Sequence, residues 1–363
     1  MVANQGPWGR LEYLPISIEC PEELLPMEAF KTSVTHWILR GYATDGYLRL
    51  LESAGITGEL REAMCAPEVL HVTESGLDIT PTSKIIINLP PDARKRLYTT
   101  LAGFPENEAA LIFVQTKTLA ERFAGSGVSP STVERFRSLS CEYGRYLVYS
   151  DVPTIFSLIP TFDERLHFLK ALTRQDTMLL KLHVTANSNI GELMQYWGKI
   201  RWAKDVRPLL ESLARIPGGA RVDVSHLIPP AAAALLYTFP QPVNPVDGVP
   251  VRRDCHYTAL NFFRDPPDPR YSNVEFLVSR LKEDYLPVDG NPRYGDLVLI
   301  FNPGGQVIHS AVFLADNFVY TKNGDTFMHP WMLSTVQDLL DHYSFQVPPD
   351  QALVVKYFRN KNY

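Results

Sequence analysis

The sequence predicts an α+β protein, and three observations predict it. Amphipathic helical stretches fill the first two-thirds of the 363 residues. A proline-rich segment, FPQPVNPVDGVP, with Pro240, Pro242, Pro245 and Pro250, then forbids regular structure, because proline fixes φ and removes a donor. After it come two helices and a meander of strands. The chain is therefore expected to divide into residues 1–240, mainly helical, and residues 241–363.

Taken in order, Leu11–Glu19 reads as a strand. Residues 28–53 place Phe30, Val34, Trp37, Ile38, Tyr42, Leu48 and Leu51 at helical spacing, and the turn signals Gly41 and Asp45-Gly46 suggest two helices joined by a bend. Lys84–Leu89 reads as a strand from its isoleucines. Further helices are expected at 92–103, 106–124, 131–139, 163–174, 189–199 and 204–215, several opening on Asp, Ser or Asn. Met178–Thr185 is a strand, with β-branched and apolar residues. Beyond the prolines, helices are expected at Cys255–Phe263 and 272–285, and strands at Leu297–Phe301, Ile308–Leu314, Phe318–Lys322 and Ala352–Phe358.

Composition narrows the function. Thirty-five Lys and Arg against forty Asp and Glu give a net charge of −5, with no basic run to track a phosphate backbone, so nucleic acid is not expected as a partner. The longest small-apolar run, Ala231–Phe239, lies between prolines and is far short of the roughly 20 residues of a membrane helix, so no membrane span is expected. The first residues have neither a charged nor an apolar signal region, so the chain as it stands carries no signal peptide. Cys20, Cys65, Cys141 and Cys255 are widely spaced and form no CxxC pair, which argues against a zinc ribbon or a disulfide framework. No metal or other cofactor is expected.

One constellation carries chemistry. Asp254 can cap a helix whose first turn holds Cys255, where free N–H groups and the helix dipole lower a thiol's pKa and can cradle an oxyanion. Gly295-Asp296-Leu297-Val298 opens a strand forty residues later, and His309 opens the next, HSAVFLA. A cysteine hydrolase needs a thiolate, an imidazole to exchange its proton, and a polar group to orient the imidazole. Cys255 and His309 supply the first two. For the third, Asn323 is favoured because an amide oxygen accepts from an imidazole without first rotating; Thr321 is the alternative on the same strand face.

This order of residues resembles the NlpC/P60 papain-like cysteine hydrolases over about residues 235–358. The matching pieces are Asp254-Cys255, Gly295-Asp296-Leu297-Val298 and His309-Ser310-Ala311-Val312-Phe313. His256-Tyr257 departs from the family's Ser-Gly, and the usual upstream Gly-Gly is absent. The resemblance implies a papain-like domain with the Cys255 helix on an antiparallel sheet. It also implies a Cys-His-polar triad acting through an acyl-enzyme, a bacterial cell-wall peptide as substrate and an extracytoplasmic location. It puts the family's third position at Thr321 and offers Tyr237 as the tyrosine near the thiol, although packing explains that ring equally well. The alternative function is a domain that keeps the fold and binds a wall peptide or a protein without cleaving it, or an acyltransferase or amidase on another substrate.

Other polar residues have simpler readings. His256 follows the nucleophile by about 100° of helix and cannot face it, so it is a pocket or surface residue. His329 lacks the spacing of a metal site. His167 and His183 read as core histidines, and Glu192, Asp205 and Glu211 as solvated helix faces.

Overall fold

The computed structural model describes the chain except residues 26, 28–33, 108–111, 116–118, 144–145, 199–202, 242–251, 345–346, 348–350 and 363. It is an α+β protein with antiparallel sheets. The chain does not divide at the prolines. One unit combines Met1–Leu24 with Thr173–Tyr363, and the other is Leu25–Leu172. Long-range pairing explains the difference, since the first strand, β1 (Arg10–Ile18), finds its partner in β2 (Gln175–Val184), with Ile18 opposite Gln175 and Arg10 opposite His183. Of the proline segment expected as the boundary, 242–251 lies outside the described residues.

In the first unit β3 (Ala220–Asp223) completes a three-stranded sheet in the order β1-β2-β3. The second sheet holds β4 (Tyr285–Pro287), β5 (Leu297–Phe301), β6 (Val307–Ala315), β7 (Phe318–Lys322), β8 (Trp331–Thr335) and β9 (Val354–Asn360), in the order β4-β9-β5-β6-β7-β8. Thr177 ties the two sheets together: its hydroxyl donates to the Leu333 carbonyl at 2.7 Å and accepts from the Leu333 N–H at 3.2 Å. Helices α1 (Ile190–Trp197), α2 (Ala203–Ala214), α3 (Pro230–Leu235), α4 (Cys255–Asn261), α5 (Val274–Asp284) and α6 (Val336–Tyr343) complete the unit.

Each face of the six-stranded sheet has its own core. Leu297, Leu299, Val312, Leu314 and Tyr320 pack with Tyr257, Ala259 and Leu260 of α4. Val298, Ile300, Ala311, Phe313 and Val319 pack with Leu339 and Tyr343 of α6. The alternation of successive side chains across a strand makes this division.

The Gly-Asp of the GDLV motif builds the entrance to β5. Gly295 has φ +89, and a Cβ there would lie 2.6 Å from the Phe263 ring, so both backbone and space demand glycine. Asp296, buried, accepts a fork from Arg359 on the neighbouring β9, Nε to Oδ1 at 2.8 Å and Nη2 to Oδ2 at 2.7 Å, and the Arg293 N–H at 2.7 Å.

The second unit has two three-stranded sheets, one from Trp37–Arg40, Leu70–Thr73 and Gly76–Ile79, the other from Ile112–Gln115, Cys141–Tyr143 and Tyr146–Tyr149. Two expected helical segments are therefore partly strand. Trp37–Arg40 pairs with Gly76–Ile79, and the expected helix 106–124 contains Ile112–Gln115. Residues 28–33 of the first expected helix lie outside the described residues. The expected strand at 84–89 is a helix, Ser83–Asn88, because Thr82 caps it by accepting from the Ile85 N–H at 3.3 Å.

Asp151 is a buried carboxyl of this unit, in one network with the buried Arg94. The Trp37 indole donates to the carboxyl at 3.1 Å, as does the Tyr98 hydroxyl, itself bonded by Arg94 at 3.1 Å. Burial still outweighs these donors and raises its pKa from 3.8 to about 6. A raised folded-state pKa gives stability that is complete below pH 3.8 and is lost as pH rises through about 6. The unit is expected to weaken by on the order of 2–3 kcal/mol between pH 4 and pH 7.5. Asp151→Asn should flatten that slope, as read by hydrogen exchange in Trp37–Arg40; an unchanged slope would refute the assignment to Asp151.

Candidate active site

The helix that carries Cys255 begins as its sequence dictates. Asp254 is extended, and its Oδ1 accepts from the Tyr257 N–H at 2.8 Å, which places the thiol in the first turn. Facing it are β6 and β7, which pair at Ala315↔Phe318, Phe313↔Val319 and Val312↔Tyr320 and no further. Where that ladder has ended, the Ser310 N–H donates to the Cys255 sulfur, and so does the N–H of His256. These two donors and the Lys322 cation favour the thiolate, yet burial, with Asp254 beside it, pushes the thiol up to about 12.

His309 lies on the other face of the same strand. A bulge at Ile308 leaves His309 opposite Ile300 and Ser310 opposite Leu299, so Ser310 faces α4 and His309 joins the α6 side. The imidazole stacks on Tyr343 with ring centroids 4.5 Å apart. Its Nε2 lies 2.9 Å from Thr321 Oγ1, and its Nδ1 is buried without a hydrogen-bond partner. Burial, reinforced by His256 and His342, holds the ring neutral to well below the ordinary histidine pKa. The structure thus brings His309 and Thr321 together, and it sets the thiol of Cys255 beside Ser310, the next residue of β6, on the opposite face of the sheet from the imidazole and with no hydrogen bond to the ring among the described residues.

Thr321, and not the favoured Asn323, bonds the imidazole. Asn323 is buried too, but its Oδ1 has no partner and β7 ends at Lys322, so strand alternation does not carry on to residue 323. Tyr237 donates its hydroxyl to the Met178 carbonyl at 2.6 Å, which is a packing role. His256 turns inward, with Nδ1 2.7 Å from Ser310 Oγ. His329 bonds Thr326 at 3.2 Å, and burial, with His342 and Lys322 nearby, lowers its pKa to about 3.

Sequence reasoning missed two residues of this site. Ser310 supplies the N–H under the thiol, and Lys322 is a fully buried cation on the Cys255 side of the sheet. The ammonium of Lys322 donates to the carbonyls of Gly324 at 2.8 Å and Thr326 at 3.0 Å, and burial lowers its pKa to about 8. The shared face of Tyr320 and Lys322 in FVYTK was the available signal.

No family model, curated protein or solved structure matches this chain. Among the described residues no group of three or more His, Cys, Asp or Glu side chains is arranged to hold a metal ion, and no helix is long and apolar enough to cross a membrane.

Proposed function

We propose that the protein is a cysteine-dependent hydrolase of amide bonds, with Cys255 as nucleophile, His309 as base and acid, and Thr321 orienting the ring. One observation carries this reading: the imidazole is held at Nε2 and bare at Nδ1, one residue along β6 from the N–H that bonds the thiol. A buried nitrogen without a partner costs about 1–3 kcal/mol, and a base awaiting a proton is a reason to keep one.

Thiol and imidazole are both neutral at rest, so the proton moves with the attack and not before it. With Nε2–H donated to Thr321, Nδ1 is the lone pair. Sulfur bonds to the carbonyl carbon as its proton passes to Nδ1, and the N–H groups of Ser310 and His256 are the donors available to the developing oxyanion. The C–N bond then breaks, Nδ1–H protonates the leaving nitrogen, and a thioester remains. Water, deprotonated by Nδ1, displaces the thiol and completes hydrolysis. Because His309 lies on the α6 face of the sheet and Cys255 on the α4 face, contact between Nδ1 and sulfur requires the imidazole to swing around the end of the β6–β7 ladder when substrate binds, a larger movement than the shortening of a formed hydrogen bond.

The NlpC/P60 resemblance supports bacterial cell-wall peptides as the substrate class and an extracytoplasmic location. Purified protein and its Cys255→Ala variant, incubated with muropeptides, test both residue and substrate; cleavage by the wild type alone is expected. Equal products from the two would refute the reading. Only 5% of Cys255 is exposed, which favours a second reading, a domain that binds such peptides without cleaving them. Binding by both proteins without turnover would establish it.

A further inference from the structure

The thiol of Cys255 sits where two strands part, and each strand brings one group to it. The register that pairs Val312 with Tyr320 would set Ser310 opposite Lys322, but the β6–β7 ladder stops short of that pair. The Ser310 N–H turns instead to the Cys255 sulfur. Lys322 follows Tyr320 by two residues on β7 and so shares its α4 face, whereas Thr321 between them faces His309. A second connection closes on the same place. Lys322 pairs with Trp331 across β7 and β8, and the Trp331 indole donates to Thr258 Oγ1 at 3.0 Å. Thr258 is three residues after Cys255, on the same side of α4.

The ammonium of Lys322 is fixed in place but not neutralised. The Gly324 and Thr326 carbonyls take two of its three N–H donors, yet a carbonyl carries no net charge, and among the described residues Lys322 has no ion pair. The negative groups that act on it are those of Asp325, Cys255 and Asp254. Asp325 is exposed, where water screens it, and Asp254 is half-buried and committed to capping α4. Cys255 alone is buried with the cation.

We propose that Lys322 is the counter-ion of the Cys255 thiolate: when His309 takes the thiol proton, Lys322 keeps its own, and the ammonium compensates the charge left on sulfur. The inference rests on the hydrolase reading for its use in turnover, but its test needs no substrate, because such a pair has a signature in pH. Burial lowers the Lys322 pKa to about 8 and pushes the thiol up to about 12. Below the first value each thiolate forms beside an ammonium, and the thiolate fraction rises about tenfold per pH unit. Between the two values the resting form is a thiol beside a neutral amine, which differs from thiolate and ammonium only in where one proton sits, so the fraction levels off. The other charged or titratable groups facing the pair are Asp254 and His256 on α4 and Asp325 and His329 beyond β7, with His309 across the sheet. Burial lowers the pKa of all three histidines, so Lys322 alone of these groups changes charge between pH 7 and pH 10.

Iodoacetamide alkylation of the full chain, followed by mass spectrometry of the peptide that contains Cys255, reads this signature. The wild-type rate is expected to rise about tenfold per pH unit up to pH 8 and to level off between pH 8.5 and pH 10. Lys322→Arg, whose cation does not titrate in that range, should keep rising to pH 10. Lys322→Met should rise throughout, at a rate at least tenfold below the wild type at pH 7. If Lys322→Met does not fold, the contrast between the wild type and Lys322→Arg decides. The predicted alkylation profile in a protein that cleaves no muropeptide would remove the hydrolase reading and leave the ion pair standing. A wild-type rate that climbs steadily to pH 10, a Lys322→Arg rate that levels off as the wild type does, or equal rates at pH 7 in the wild type and Lys322→Met would overturn the proposal.

Discussion

Replacing His309 with alanine is expected to lower turnover of a cleavable peptide by about 10²–10⁴-fold, the range that a positioned acid-base group supplies. Thr321→Val should cost roughly fivefold, since one hydrogen bond worth about 1 kcal/mol holds the ring at Nε2. Asn323→Ala should stay within about twofold, because it bonds no ring nitrogen of His309. The pH profile carries the same information. Catalysis needs the neutral imidazole, and burial keeps it neutral to well below its ordinary pKa. Activity should therefore persist as pH falls through 6.5, where an exposed histidine would begin to lose it. An acid limb centred near 6.5 would mean that the ring is wet in the working enzyme.

The second large effect is on stability. Arg359→Met is expected to destabilise the first unit by about 3–5 kcal/mol, because it leaves the Asp296 carboxylate buried and uncompensated. Asp296→Asn should cost less. Its partner Arg359 is 30% exposed at the side chain and can turn to water, whereas Asp296 cannot. Denaturant unfolding of the two single variants and the double variant checks the asymmetry. A double variant no more stable than Arg359→Met would show that the buried charge is not the cause.

The sequence was most informative where local chemistry decides structure. Asp254 caps the Cys255 helix as its residue type dictates, and GDLV, His309 and the strands around them fall where their patterns place them. What escaped was decided by more distant contacts. The face on which His309 lies depends on a single bulged residue, Ile308, and no periodicity reports a bulge before it forms. The strand expected at 84–89 failed because three successive isoleucines favour a strand and the Thr82 cap favours a helix, and the cap prevailed. β8 and α6 were not foreseen: Pro330 obscured the strand, and the helix follows it without a turn. The division of the chain escaped for a topological reason, since the pairing of residues 10–18 with 175–184 leaves no mark near either segment.

That pairing also sets an order of assembly. Ile18 and Gln175 are neighbours in space but 157 positions apart in the chain, and the whole of Leu25–Leu172 lies between them. At ribosomal rates of about 5–20 residues per second, β1 leaves the ribosome roughly 8–30 seconds before its partner exists. The inserted unit has both of its sheets within its own residues and can form during that interval, while β1 stands as an unpaired strand with Leu14 exposed and open to pairing with another chain. Arg10, Glu12 and Pro15 along that strand are residues that discourage such pairing. Biogenesis of the Cys255 unit therefore depends on how well β1 stays single until residues 175–184 have been made.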